Sequence, residues 1–178
     1  CAANYGVVPA ETEKKYTVDG LDTLITKLNE IDNAALEQFQ AEAADVYDTT
    51  KNDNYYGETT VEGMEYLGSC LLVKKMDKDT ANNGLIMVYK VQLKDTYSTF
   101  SQTTDYYWCV DYYSLVQKSD GTLSYNKDLI GTPKNWITVN SDTAFWNHFG
   151  YATLNELYDN EVAKYADDYD IESNLIME

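Results

Sequence analysis

From Val61 to about Gln117 the apolar residues recur with a period of two, a pattern that fits strands and that no helix can present on one face. Leu85, Met87, Tyr89, Val91 and Leu93 alternate with Ile86, Val88, Lys90, Gln92 and Lys94. The spacing predicts three long strands, at about 61–75, 85–94 and 105–117, and a shorter fourth after the Ser119-Asp120-Gly121 turn. Centring the second hairpin near residues 99–100 sets Tyr106, Trp108, Val110 and Tyr112 beside the first set. One sheet face then becomes wholly apolar or aromatic, as a core face must be. The opposite face receives Lys90, Cys109, Asp111 and Tyr113, a mixed surface.

Helical periodicity flanks this sheet. Leu21, Leu24, Ile25 and Leu28 form one stripe and predict a helix from Leu21 to about Glu30. Asp32-Asn33 caps a second helix to about Tyr47, whose apolar face is Leu36, Phe39, Ala43, Val46 and Tyr47. After Pro133 come a short strand, Trp136 to Val139, and an aromatic turn, Phe145 to Phe149. Thr153-Leu154-Asn155-Glu156 reads as a capping box opening a last helix, with Leu154, Leu157, Tyr158, Val162 and Tyr165 as its stripe. The fold class this predicts is α+β: an antiparallel meander sheet of about four strands, with N- and C-terminal helices packed on one face. Residues 1–14 read as a leader from a preceding domain, 15–166 as a single domain with a short strand at Lys15–Val18, and 167–178 as a frayed acidic tail. A chain beginning at Cys1 is processed or excised. A lipidated cysteine is one reading; the segment to Pro9, which resembles the tail of a strand leading into a linker, favours an excised domain.

Charge narrows the partners. Thirteen lysines, no arginine and thirty acids give a formal net charge of −17, so phosphate backbones and anionic lipid surfaces are repelled. Nucleic acid is therefore excluded as a partner. No apolar run approaches the ~18 residues of a membrane span, so direct insertion is not expected. Three cysteines are too few for a disulfide scaffold, and with His148 as the single histidine they cannot build a zinc site of the usual ligand count. Neither a metal nor another cofactor is expected. In the predicted register Cys70 and Cys109 lie on either side of Lys90, two strand spacings or about 10 Å apart, too far for a disulfide. Both are expected as free thiols with packing roles. His148 sits among Phe145, Trp146 and Phe149 and reads as a packed aromatic corner, in preference to half of a Cys–His catalytic pair. Asp77 to Gly84 has the composition of a calcium loop but not EF-hand spacing, and Asn83-Gly84 reads as turn chemistry.

Two features bear on ligands. Asp111 interrupts the most aromatic strand, and with Glu65 or Asp105 it could supply the carboxylate pair of a carbohydrate-active hydrolase. A cross-strand ion pair of Asp111 with Lys90 is the simpler account. Tyr55-Tyr56, Tyr106-Tyr107 and Tyr112-Tyr113 put rings on both sides of the sheet. Those away from the core either form a contact surface for a glycan, a peptide or a neighbouring domain, or lie under a helix or the C-terminal segment. The candidate ligand-binding residues are Tyr107, Asp111 and Tyr113.

Four segments recur in order: Lys15 to Leu21, Leu85 to Val91, Tyr107 to Val110, and Gly150 to Tyr158. In them the chain resembles the C-terminal α+β module of uncharacterised surface proteins of Gram-positive, often gut-dwelling, bacteria, which are lipid-anchored or carry a zinc ribbon. The resemblance spans about residues 15–160. It implies an extracellular, cell-surface setting and carries over no catalytic residue. The expectation is thus a non-catalytic extracellular module that binds or spaces, with the carbohydrate-active hydrolase as its alternative. A concave pocket holding a second carboxylate and walled by rings would favour a glycan; a covered face would favour an interaction or spacer module.

Overall fold

A computed structural model describes residues 20–51, 57–75 and 82–177, and its centre is the strand with the clearest alternation in the sequence. Three long strands, β2 (Glu58–Lys74), β3 (Asn83–Tyr97) and β4 (Phe100–Tyr113), pair antiparallel. Further pairings add β7 (Ile130–Gly131) beside β4 and β10 (Tyr169–Ser173) beside β2, giving the order β10-β2-β3-β4-β7. Two short strands pair with each other, β5 (Val116–Gln117) with β6 (Leu123–Ser124), and β1 (Thr23–Leu24) joins β5. A separate hairpin joins β8 (Trp136–Asn140) to β9 (Phe145–Phe149). The described residues are thus mostly β, in three antiparallel sheets with two α-helices, and not a four-stranded sheet with helices on one face.

Both faces of β3 are covered. On one, Leu85, Met87, Tyr89, Val91 and Leu93 pack with Tyr106, Trp108, Val110 and Tyr112 against helix α1 (Asn33–Thr50). The Asp32 carboxylate caps α1 by accepting from the Ala35 amide at 2.8 Å, and Phe39, Ala43 and Tyr47 recur every four residues on its buried side. Edge-on contact of Tyr47 with Trp108 and a 2.6 Å hydrogen bond between the Tyr47 and Tyr106 hydroxyls fix the helix on the rings. Each such fully buried large side chain is worth about 1.5–3 kcal/mol, so this layer contributes heavily to the fold's stability.

The other face carries Cys70, Leu72, Ile86, Val88, Tyr107 and Cys109, and it is closed by the C-terminal segment through Leu154, Leu157 and Val162. That segment opens with α2 (Leu154–Leu157), capped by Thr153, whose hydroxyl accepts from the Glu156 amide at 3.1 Å. The next turn, Tyr158–Val162, is widened to i→i+5, with the Ala163 amide donating to the Tyr158 carbonyl. Helices therefore lie on both sides of the sheet.

Several expectations are corrected. Residues 21–30 form β1 and a single tight turn instead of a helix, because their backbone finds partners elsewhere. The buried Asn83 side chain donates to the Ile25 and Leu115 carbonyls at 2.6 and 2.8 Å and accepts from the Leu115 amide at 2.6 Å. Asn83 is a clasp inside β3, not a turn residue. The aromatic run from Phe145 to Phe149 is a strand, not a turn. Residues beyond 166, expected to fray, supply the edge strand β10 against Cys70–Lys74. The second hairpin turns at Ser98-Thr99, so Lys90 faces Tyr107 and Cys109 faces Val88: the predicted faces hold and the register shifts by two. The leader, Cys1, the strand at 15–18, Tyr55-Tyr56 and most of the loop at 77–84 lie outside the described residues.

His148 is buried, but its partner is Asp95. Its Nε2 lies 2.8 Å from the Asp95 carboxylate, and the two groups are 3% and 0% exposed. Thr59 Oγ1 donates to the other Asp95 oxygen at 2.7 Å, and Tyr106 lies against the imidazole. The cysteines belong to the opposite face of the sheet, so no Cys–His pair forms. Replacing His148 by Leu strips one donor from a buried carboxylate and should cost about 3–5 kcal/mol, against a smaller loss for His148→Gln, which keeps an N–H. Urea denaturation of the two variants checks this; equal losses would mean that only ring packing matters.

Candidate functional site

The chain reaches the second face by passing round the edge of β4. Tyr107 and Tyr151 exchange backbone hydrogen bonds, both 2.9 Å, at that edge. Gly150 makes the passage possible: its φ is +145°, and a Cβ there would sit 2.4 Å from the Tyr107 carbonyl oxygen and 2.7 Å from the Tyr106 ring. Beside the passage opens a cleft of about 590 Å³.

Three parts of the chain wall it. The end of β4 gives Asp111 and Tyr113; β7 and the following turn give Ile130, Gly131, Thr132, Lys134 and Asn135; the C-terminal segment gives Tyr151, Asn160, Glu161, Lys164 and Tyr165. Gly131 pairs with Asp111 in the sheet, and a Cβ on it would stand 3.2 Å from Asp111 Oδ2, so its bareness leaves space for the carboxyl. The widened turn sets Glu161 in the wall together with Asn160 and Lys164, and such turns recur at functional sites. A smaller hollow of about 240 Å³ at the start of α1 holds one acid, Asp32, which is spent on its cap.

Asp111 is 8% exposed, its Oδ2 accepts from the Tyr113 hydroxyl at 3.1 Å, and its Oδ1 is buried without a partner. Burial, reinforced by the negative charge of Glu161, pushes its pKa up to about 7, against weaker opposing pulls from Tyr113 and Lys164. Glu161 is engaged on both oxygens: Tyr151 donates to Oε1 at 2.5 Å and Lys164 to Oε2 at 2.8 Å. Burial first, then Glu161, raises the Tyr151 phenol; burial first, then Asp111, raises that of Tyr113, so both remain donors. Burial works to lower Lys164, but Glu161 outweighs it and its ammonium ends above the usual value. The site thus offers a dense set of hydrogen-bonding groups with little net charge of its own near neutral pH.

Of the predicted residues, Asp111 and Tyr113 line the cleft, whereas Tyr107 packs into the core under the C-terminal segment. Lys90 pairs with Asp105 at 3.0 Å, not with Asp111. Hydrogen bonds from Gln92 and Lys90 hold Asp105 below the usual carboxylate range. Asp105 stands six residues along β4 from Asp111, about 20 Å away at strand rise, and Glu65 lies opposite Lys90 on an exposed stretch of β2. Neither converges with Asp111; Glu161 does. The helical stripe of Leu157, Val162 and Tyr165 places Glu161 at its flank, which could have flagged it once the helix was assigned to the face carrying Asp111. Among the described residues no group of three or more His, Cys, Asp or Glu is arranged to hold a metal ion, and no helix is long and apolar enough to cross a membrane.

Comparison of the chain with protein-family models, with curated proteins and with solved structures finds no match in any of the three. The resemblance to bacterial surface modules therefore rests on the four quoted segments alone.

Two measurements follow from these environments. Folded Asp111 keeps a proton that the unfolded chain releases from about pH 3.8, so stability should fall as pH rises from about 4 to 7 and level off above. This contribution is on the order of 4 kcal/mol, and Asp111→Asn should remove most of it, with melting curves at pH 4 and pH 8 as the check. Cys70 and Cys109 are free and buried, β3 runs between them, and burial raises both thiols, Cys70 to about 11. Neither should react with a thiol reagent at pH 8 before unfolding. Rapid labelling of Cys109 in the native state would show that the C-terminal segment opens.

Proposed function

We propose that this chain is a non-catalytic binding module whose cleft takes an uncharged, polyhydroxylated ligand, a glycan. The observation that carries the reading is the wall chemistry around Asp111. Two side-chain amides, a threonine hydroxyl and two ammonium groups line the cleft beside the phenols and the engaged carboxyls, and Tyr113, Tyr151 and Tyr165 add ring surface. Hydroxyl-rich ligands need that mixture, because each buried hydroxyl left unpaired costs more than its hydrogen bond returns. Lys134 and Lys164 stand in the wall with Glu161 and a half-protonated Asp111, so the fixed charges nearly cancel and favour no strongly charged ligand. The cleft volume is that of a small-molecule site, typically about 300–1,000 Å³.

Engagement of both carboxyls favours binding over hydrolysis. A general acid must touch the leaving oxygen, yet Asp111 Oδ1 is enclosed and Oδ2 holds the Tyr113 hydroxyl. Glu161 spends its oxygens on Tyr151 and Lys164. Most of the ring-bearing face lies under the C-terminal segment, which leaves the cleft as the accessible part. A cell-surface, extracellular setting is part of the proposal and is supported by the sequence resemblance.

Titration calorimetry against neutral oligosaccharides tests the reading. Lys134→Ala and Asn160→Ala should each weaken binding about five- to tenfold, the value of one hydrogen bond, with the fold unchanged. No reducing ends should appear on prolonged incubation. Release of reducing ends that Glu161→Gln abolishes would overturn the non-catalytic reading in favour of the hydrolase.

A further inference from the structure

The cleft does not end at Tyr151. A second hollow of about 410 Å³ shares Asn135, Tyr151 and Asn160 with it and continues to Trp136, Ile137, Ala152 and Glu156. Trp136 is 56% exposed, an uncommon position for so large a ring. It is not loosely held. Trp136 opens β8 and pairs with Phe149 of β9, whose ring meets it edge-on at 6.4 Å between centroids. The Gly150 amide donates to the Asn135 carbonyl and the Asn135 side chain donates to the Gly150 carbonyl, pinning the residue just before it. Tyr151 stands between the two hollows with its hydroxyl tied to Glu161.

Resting on the glycan reading above, we propose that the two hollows are consecutive subsites of one groove, that Trp136 is the stacking platform of the second, and that the ligand is a neutral oligosaccharide of at least two rings. A sugar ring offers an apolar C–H face and a hydroxyl rim, and an anchored indole beside the amides of Asn135 and Asn160 meets both. Two hollows, each of small-molecule size and joined by a shared wall, exceed what one ring fills. The chain's net charge of −17 selects against uronic or sulfated polymers, which the protein's field repels. A peptide would find little apolar surface here beyond Trp136 and Ile137, and its alternating side chains would meet no row of pockets.

The test is calorimetry of the full chain with glucose and N-acetylglucosamine and their neutral oligomers of two to six units. Affinity should rise about tenfold or more from one unit to two or three, as stacking on a tryptophan adds to the first subsite. Trp136→Ala should abolish that rise and leave the single-unit affinity unchanged. Phe145→Ala removes another exposed aromatic of the same hairpin, outside the hollow, and should change neither. Both rings are exposed, and near-ultraviolet circular dichroism verifies the fold of each variant. Binding independent of length, or a rise that survives Trp136→Ala, overturns the second subsite and leaves the glycan cleft standing. Absence of binding at every length overturns both readings, and binding of neutral tetrapeptides that needs Trp136 overturns the choice of ligand.

Discussion

The paired backbone hydrogen bonds between Tyr107 and Tyr151 hold the chain where it rounds the edge of β4, and much of the molecule depends on that passage. Before it, β8 and β9 pack on the α1 side, with Trp146 stacked on Phe100 and His148 on Asp95. After it, the C-terminal segment covers Ile86, Val88 and Cys109 on the far side. One residue permits the change of face: Gly150 sits where a Cβ would collide with both backbone and ring. The edge of a sheet is normally a liability, and this one is protected by the crossing chain and by β7. The cleft is the space left between those two protections.

The charge pattern has two scales. At the level of the whole chain, thirty acids against thirteen lysines make a field that repels anions. Within the cleft the same residue types nearly cancel: Lys164 meets Glu161, and Lys134 shares the wall with Asp111, which burial leaves about half-protonated near neutral pH. A nearly uncharged pocket in a strongly acidic protein is costly to assemble, because Asp111 would be more stable as a solvated carboxylate. Gly131 leaves room for that carboxyl and the Tyr113 hydroxyl holds it.

Alternation made the sheet legible, because a period of two assigns every residue of β3 and β4 to a face without reference to partners. Register was harder. The true turn, Tyr97-Ser98-Thr99-Phe100, contains no Gly, Asn or Asp, although Ser98 takes a positive φ of 56°. Nothing in the sequence therefore marked its centre, and the one-residue displacement of that centre moved every pair by two. The face is unaffected by this shift, but the partner of Lys90 changes. Residues 21–30 depart from their helical pattern for a different reason. Their stripe fits a helix, but Asn83, 58 residues away from Ile25, supplies the hydrogen bonds that hold the segment extended. Local propensity does not register a distant side chain. The C-terminal helix was legible, but its side of the sheet was not, and with it went the meeting of Glu161 with Asp111.

That meeting explains why an acid pair in a cleft need not be catalytic machinery. In a working acid–base pair one carboxyl points at the leaving oxygen and the other at water or an anomeric carbon. Here each oxygen is bound by a neighbour or walled in, and the donors are Lys164 and two tyrosines whose rings also form the cleft wall. Freeing Asp111 for proton transfer requires Tyr113 to swing away, and Tyr113 is itself a wall of the cleft. The same contacts that would hinder proton transfer tie the wall side chains to one another. Side chains fixed in this way would suit recognition, since a ligand then meets wall surfaces already oriented and little entropy is lost in ordering them.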